Sequence, residues 1–149
     1  MDSFYLVLNS NSSKNYFELN TSNHFKNKLL NSVSLDGEWE VSLFDIQYFN
    51  PLVNANNHSI WIYSDIVVHS QVGNVSVPLL RKISINSLNN NNWLLSEPSS
   101  FYVKLRTNYL DIINIDIKDN IEQSFDSLGV SSQIDNTKPT SLTLHFKKI

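Results

Sequence analysis

Apolar residues recur along this chain in short runs with a period of two, and polar breaks rich in Asn and Ser separate the runs. Eight runs carry β-branched and aromatic residues: Phe4–Leu8, Phe25–Leu35, Trp39–Tyr48, Ile60–Val68, Leu79–Ile85, Phe101–Arg106, Leu110–Ile117 and Leu142–Phe146. A period of two is the signature of strands, because successive side chains leave opposite faces. Eight such runs between turn signals predict an all-β chain, an antiparallel β-sandwich in a single domain over residues 1–149.

Single segments refine the expectation. Phe4–Leu8 is apolar on both faces and reads as a buried strand. Tyr16, Phe17 and Leu19 suggest a small satellite cluster. Phe25–Leu35 carries Lys26 and Lys28 on one side, and Asp36-Gly37 after it signals a hairpin. Trp39, Val41 and Leu43 alternate with polar residues, and then the phase flips to Phe44, Ile46 and Tyr48. A one-residue phase change inside a strand is what a β-bulge produces. Ile60–Val68 is apolar on both faces, which requires cover from a neighbouring subunit or from the Asp119–Pro139 loop. Gln71–Asn74 reads as a turn, and Pro78 belongs at a strand start or an edge. Trp93–Leu95 and Phe101–Arg106 read as one strand interrupted at Glu97-Pro98. Ile113, Ile115 and Ile117 alternate with Asn114, Asp116 and Lys118, the cleanest one-sided pattern in the chain. Asn50-Pro51, Asn54–Asn57 and Asn89–Asn92 read as turns and loops. Asp119–Pro139 is long for a loop, with room for one helical turn around Ile121–Phe125.

Composition narrows the function classes. The 149 residues are 41% hydrophobic, enough for a real core, but only 17% are charged. The chain has 21 Asn and 3 Gly. Asn tolerates left-handed backbone and can replace Gly in turns; an AT-rich coding genome explains the Asn equally well. The net charge is −3, with Lys and Arg scattered. Without a basic arm or stripe, direct nucleic-acid binding is not expected. Cys is absent, which points to assembly in a reducing compartment. Met1-Asp2-Ser3 does not open a signal peptide, and no apolar run approaches the roughly 20 residues of a membrane helix. The sequons at Asn11, Asn20, Asn57 and Asn74 are about what this composition yields by chance.

No motif carries catalytic chemistry. His24, His58, His69 and His145 lie in different elements without metal-ligand spacing. No nucleophile elbow and no glycine-rich phosphate loop occur. Asp45, Asp65, Asp111 and Asp116 lie in or beside strands, where paired carboxylates support glycosidase chemistry; outward-facing residues, or an Asp bonding a loop backbone, explain them more simply. Trp39, Trp61 and Trp93 offer either core packing or an aromatic platform for a sugar. The expectation is a non-enzyme with no catalytic residue, cofactor or metal.

A series of short matches runs through nearly the whole chain in order. They are Phe4-Tyr5-Leu6-Val7-Leu8-Asn9-Ser10-Asn11, Leu35-Asp36-Gly37-Glu38-Trp39-Glu40-Val41, Asp45-Ile46-Gln47-Tyr48, Ser64-Asp65-Ile66-Val67, Val72-Gly73-Asn74, Pro78-Leu79-Leu80-Arg81, Glu97-Pro98, Ile113-Asn114-Ile115-Asp116-Ile117 and Leu142-Thr143-Leu144-His145-Phe146. Together they resemble the minor capsid (penton) proteins of Polinton/Maverick elements and adinto-like viruses. Asp45 stands where that family is expected to have Glu, and Asp119–Pro139 is longer than its usual loop. The resemblance implies a single jelly roll of eight strands in two four-stranded sheets. It implies homopentamers at icosahedral vertices, a major capsid protein of double jelly-roll type as partner, and a place in a virion assembled inside the host cell. Apolarity and the resemblance together nominate Trp61, Tyr63, Gln71, Val72, Asn74, Pro78 and Arg81 as subunit-interface residues. The alternative reading is a carbohydrate-binding β-sandwich, a viral fibre head or lectin-like module.

Overall fold

The computed structural model describes residues 2–49, 58–85, 93–95, 98, 100–118 and 137–149. These residues form strands and turns, with no helix among them. The strands are β1 (Ser3–Asn9), β2 (His24–Ser34), β3 (Trp39–Phe49), β4 (His58–Ser64), β5 (Ser70–Val72), β6 (Val75–Val77), β7 (Leu79–Ile85), β8 (Trp93–Leu95), β9 (Val103–Lys104), β10 (Tyr109–Lys118) and β11 (Ser141–Lys148). One sheet runs β1-β11-β3, and β8 and β9 share the far edge of β3. The other runs β2-β10-β4-β7, and β5 and β6 form a separate hairpin. Every pairing is antiparallel. The two main sheets pack face to face as a β-sandwich.

Alternation decides which side chains fill the interior. Leu8, Val41, Leu43, Leu142, Leu144 and Phe146 from one sheet meet Phe25, Ile60, Ile62, Leu80, Ile113 and Ile115 from the other. Each fully buried side chain of this kind stabilises the fold by about 1.5–3 kcal/mol. The phase flip in β3 is a bulge, as its sequence predicts. Thr143 faces Asp45 and the next residue, Leu144, faces Leu43, so Phe44 is the extra residue. Trp39, Val41 and Leu43 before it, and Ile46 and Tyr48 after it, are all buried.

Asp36-Gly37 is a corner between sheets, not a hairpin, because β2 and β3 belong to different sheets. Gly37 takes φ +87°, a conformation that costs other residues. The turn is held by Trp39 Nε1, which donates to the Asp36 carbonyl at 2.9 Å. The interruption at Pro98 is as expected: β8 and β9 lie along one edge of β3 in two pieces.

Three further expectations need correction. β1 is buried on one face only: Leu8 is buried, Phe4 and Leu6 are half-buried, and Tyr5 and Val7 are exposed. β1 ends its sheet, and no layer among the described residues covers its outer face. Tyr16, Phe17 and Leu19 do not form a buried satellite cluster; Tyr16 and Leu19 are exposed, and the Tyr16 ring lies 6.5 Å from the half-buried Phe17, which has Lys26 beside it. The alternating Asn114, Asp116 and Lys118 do not face solvent; all three are buried. The turns expected at Asn50-Pro51, Asn54–Asn57 and Asn89–Asn92, Glu97, and the helical turn around Ile121–Phe125 lie outside the described residues.

Candidate functional site

The outer face of the β2-β10-β4-β7 sheet concentrates the unusual chemistry. Its neighbours in register are Asp116 with Tyr63 and His24, and Lys118 with Trp61. Tyr63 packs with Val72 and Val77 in a small second core, which Trp61, Val75 and Leu79 border. The β5–β6 hairpin therefore covers the outer face of β4, and that is why Ile60–Val68 is apolar on both sides. Among the described residues this cover comes from the same chain, from a segment whose sequence reads only as a turn. Gly73 supplies φ +59° at the tip, as two-residue hairpin turns require.

The same face holds a buried ionic cluster. Asp116 Oδ1 lies 3.2 Å from Lys118 Nζ, and both side chains are fully buried. The same oxygen lies 3.2 Å from His24 Nδ1, whose ring keeps one-fifth exposure. Burying a charge is costly unless it is paired, so the three groups depend on one another. Tyr63 stands beside them; burial pushes its phenol pKa up, and the negative charge of Asp116 pushes it further. Asp65 Oδ1 accepts a hydrogen bond from the Asn114 backbone N–H at 3.0 Å, which fixes the turn after β4 to β10. Asp65 thus bonds a backbone, the simpler of the readings its sequence allows. Asp111 pairs with Lys28 at the surface, at 3.0 Å.

The nominated interface residues separate on this frame. Tyr63, Val72 and Pro78 are buried within the chain, and Trp61 is half-buried with the Lys82 ammonium 5.1 Å above its ring. Gln71 and Asn74 are exposed at the hairpin, where Gln71 Nε2 donates to the Gly73 carbonyl at 3.2 Å. Arg81 faces the other way and donates Nη1 to the Leu43 carbonyl of the opposite sheet.

The three tryptophans do not form a platform. Trp39 is in the core, Trp61 lies under Lys82, and Trp93 meets Phe49 edge-on in the other sheet at 5.4 Å. A different aromatic group, missed in the sequence, occupies the outer face of the β1-β11-β3 sheet. The His145 ring stacks on Tyr5 at 4.4 Å, its Nδ1 lies 2.6 Å from the Tyr102 hydroxyl, and Tyr5 meets Phe44 edge-on at 5.6 Å. The bulge produces this group, because the extra residue Phe44 does not point into the core. Among the described residues, no three His, Cys, Asp or Glu side chains are placed to hold a metal ion, and no helix is long and apolar enough to cross a membrane. No family model, curated protein or solved structure matches this chain.

Proposed function

We propose that this chain is a structural virion protein: a penton (minor capsid) subunit of the Polinton/Maverick and adinto-like type, whose five copies close an icosahedral vertex. The strand order carries the reading. Take β8 and β9 as one position and the β5–β6 hairpin as an excursion between β4 and β7. Eight strands then remain, and the first pairs with the eighth, the second with the seventh, the third with the sixth and the fourth with the fifth. That nested pairing supports a jelly roll, in which one long hairpin is rolled around a sandwich. Jelly rolls serve viral shells and lectins alike, so fold alone does not separate the two. The ordered sequence resemblance favours the shell, and the separation of Trp39, Trp61 and Trp93 removes the main support for a sugar platform.

On this reading the chain is not an enzyme. Its most unusual side chains, Asp116 and Lys118, are fully buried, where they hold strands rather than meet a substrate. Its partners are four further copies and a major capsid protein of double jelly-roll type; it neither grips nucleic acid nor inserts into a membrane. Electron-microscopic class averages of the purified chain test this. Rings with five-fold symmetry are expected, and particles of single-chain size at every concentration would overturn it.

A further inference from the structure

The hydrogen-bond parity of β1 leaves part of its backbone open. Ser10 N donates to the Thr140 carbonyl at 2.9 Å, and Lys148 N donates to the Asp2 carbonyl at 2.8 Å. Both belong to the β1–β11 register. Antiparallel ladders alternate, so Phe4, Leu6 and Leu8 bond to β11, while Ser3, Tyr5, Val7 and Asn9 turn their N–H and C=O groups outward. Asn27 takes those of Asn9: Asn9 N donates to Asn27 Oδ1 at 2.9 Å, and Asn27 Nδ2 donates to the Asn9 carbonyl at 2.8 Å. Ser3, Tyr5 and Val7 have no such partner among the described residues, and the side chains of Tyr5 and Val7 are 54% and 70% exposed.

The edges of β2 and β9 already have partners. Asn20 caps β2 by accepting from Lys26 N at 3.0 Å and donating to the Lys26 carbonyl at 2.8 Å, and Ser13 Oγ accepts from Lys28 N at 2.9 Å. Beside β9, Val68 N donates to the Lys104 carbonyl at 3.0 Å and Arg106 N to the Ile66 carbonyl at 2.8 Å. An open edge with exposed apolar side chains at alternate positions is a template for an added strand.

We propose that β1 adds to the outer edge of β7 in a second copy of this chain, so that one sheet of the first copy continues into the other sheet of the second. β7 is the last strand of its sheet among the described residues. It lies on the opposite side of the sandwich: Asn9 and Asn27 tie β1 to β2 on one side, and Arg81 and Leu43 tie β7 to β3 on the other. Two different surfaces on opposite sides give a head-to-tail contact, which closes a ring where the rotation between copies closes. Charge agrees, since Ser3–Asn9 carries no cation and Asp2 flanks it, whereas β7 carries the exposed Lys82. The inference rests on the five-copy reading and names its contact.

Parity supplies the test. Val7→Pro removes only the outward N–H and leaves every bond to β11 in place, and Val7→Lys sets an ammonium on the same edge. Assembly is measured by mass-resolved light scattering, with far-UV circular dichroism to select folded protein. Both variants are expected to fall to the single-chain mass of 17.1 kDa, a roughly five-fold loss from the wild-type ring. If Val7→Pro does not fold, Val7→Lys decides. A five-copy ring indifferent to the folded variants overturns the edge contact and leaves the five-copy reading standing. A wild-type assembly of another size that both variants disperse supports the contact and overturns the five-copy reading. A wild type that stays single overturns both.

Discussion

The Arg81 guanidinium of β7 donates Nη1 to the backbone carbonyl of Leu43 in the opposite sheet, at 3.1 Å. The partner is available for a local reason. Trp39 and Val41 face β9, and β8 does not begin until Gln47, so Leu43 lies in the gap between the two half-strands. The bulge at Phe44 follows directly. One side chain thus satisfies a carbonyl that no described strand reaches and ties the two sheets together. Burial lowers the pKa of Arg81, yet a guanidinium stays charged at any working pH. Hydrogen bonds to charged groups are worth about 1.5–3 kcal/mol. Arg81→Met is expected to lose about that much in urea unfolding, and Arg81→Lys less.

The ionic cluster gives a sharper result. Lys118→Met leaves the buried Asp116 carboxylate without its lysine partner and is expected to cost about 3–5 kcal/mol. The double variant Asp116→Leu, Lys118→Met removes both charges and is expected to be more stable than Lys118→Met alone. A double-mutant cycle read by denaturant unfolding measures the coupling, and additive costs would contradict the pairing.

Tyr63 makes a pH prediction. Its phenol pKa is raised above 10.0, first by burial and then by Asp116. The folded state therefore holds this proton more tightly than the unfolded state does. The contribution is complete below pH 10, and it is lost as pH rises through the folded value. Stability is expected to fall above about pH 10, and Tyr63→Phe is expected to flatten that fall. Unfolding midpoints across the alkaline range check it.

Gly37 tests the corner between β2 and β3. Its φ is +87°, and an added Cβ would approach Lys148 Cε to 3.1 Å. The lysine end can yield, so backbone strain sets the cost. Gly37→Ala is expected to lose about 1–2 kcal/mol, and Gly37→Asn less, in thermal or urea unfolding.

Much of this architecture is written in the alternation. The bulge is legible because a buried face must stay on one side, so one extra residue forces the flip at Phe44. Asp36-Gly37 announces a reversal but says nothing about which sheet the next strand joins, and here it crosses between sheets. Asn114, Asp116 and Lys118 look like a solvated face because alternation reports polarity and not cover. The aromatic neighbours Trp61 and Tyr63 were the available sign that this face is covered, but it requires the β10–β4 register. The β5–β6 hairpin stayed hidden because three-residue strands are too short to display a period. Among the nominated interface residues, Trp61, Tyr63 and Val72 pack with the chain's own hairpin, a role that apolarity alone does not separate from contact with another copy.

The most direct test of the central claim is the mass of the purified wild-type chain in solution, measured by light scattering across a concentration series. The account predicts a particle of five copies that persists on dilution into the micromolar range. A single-chain mass throughout the series would contradict it.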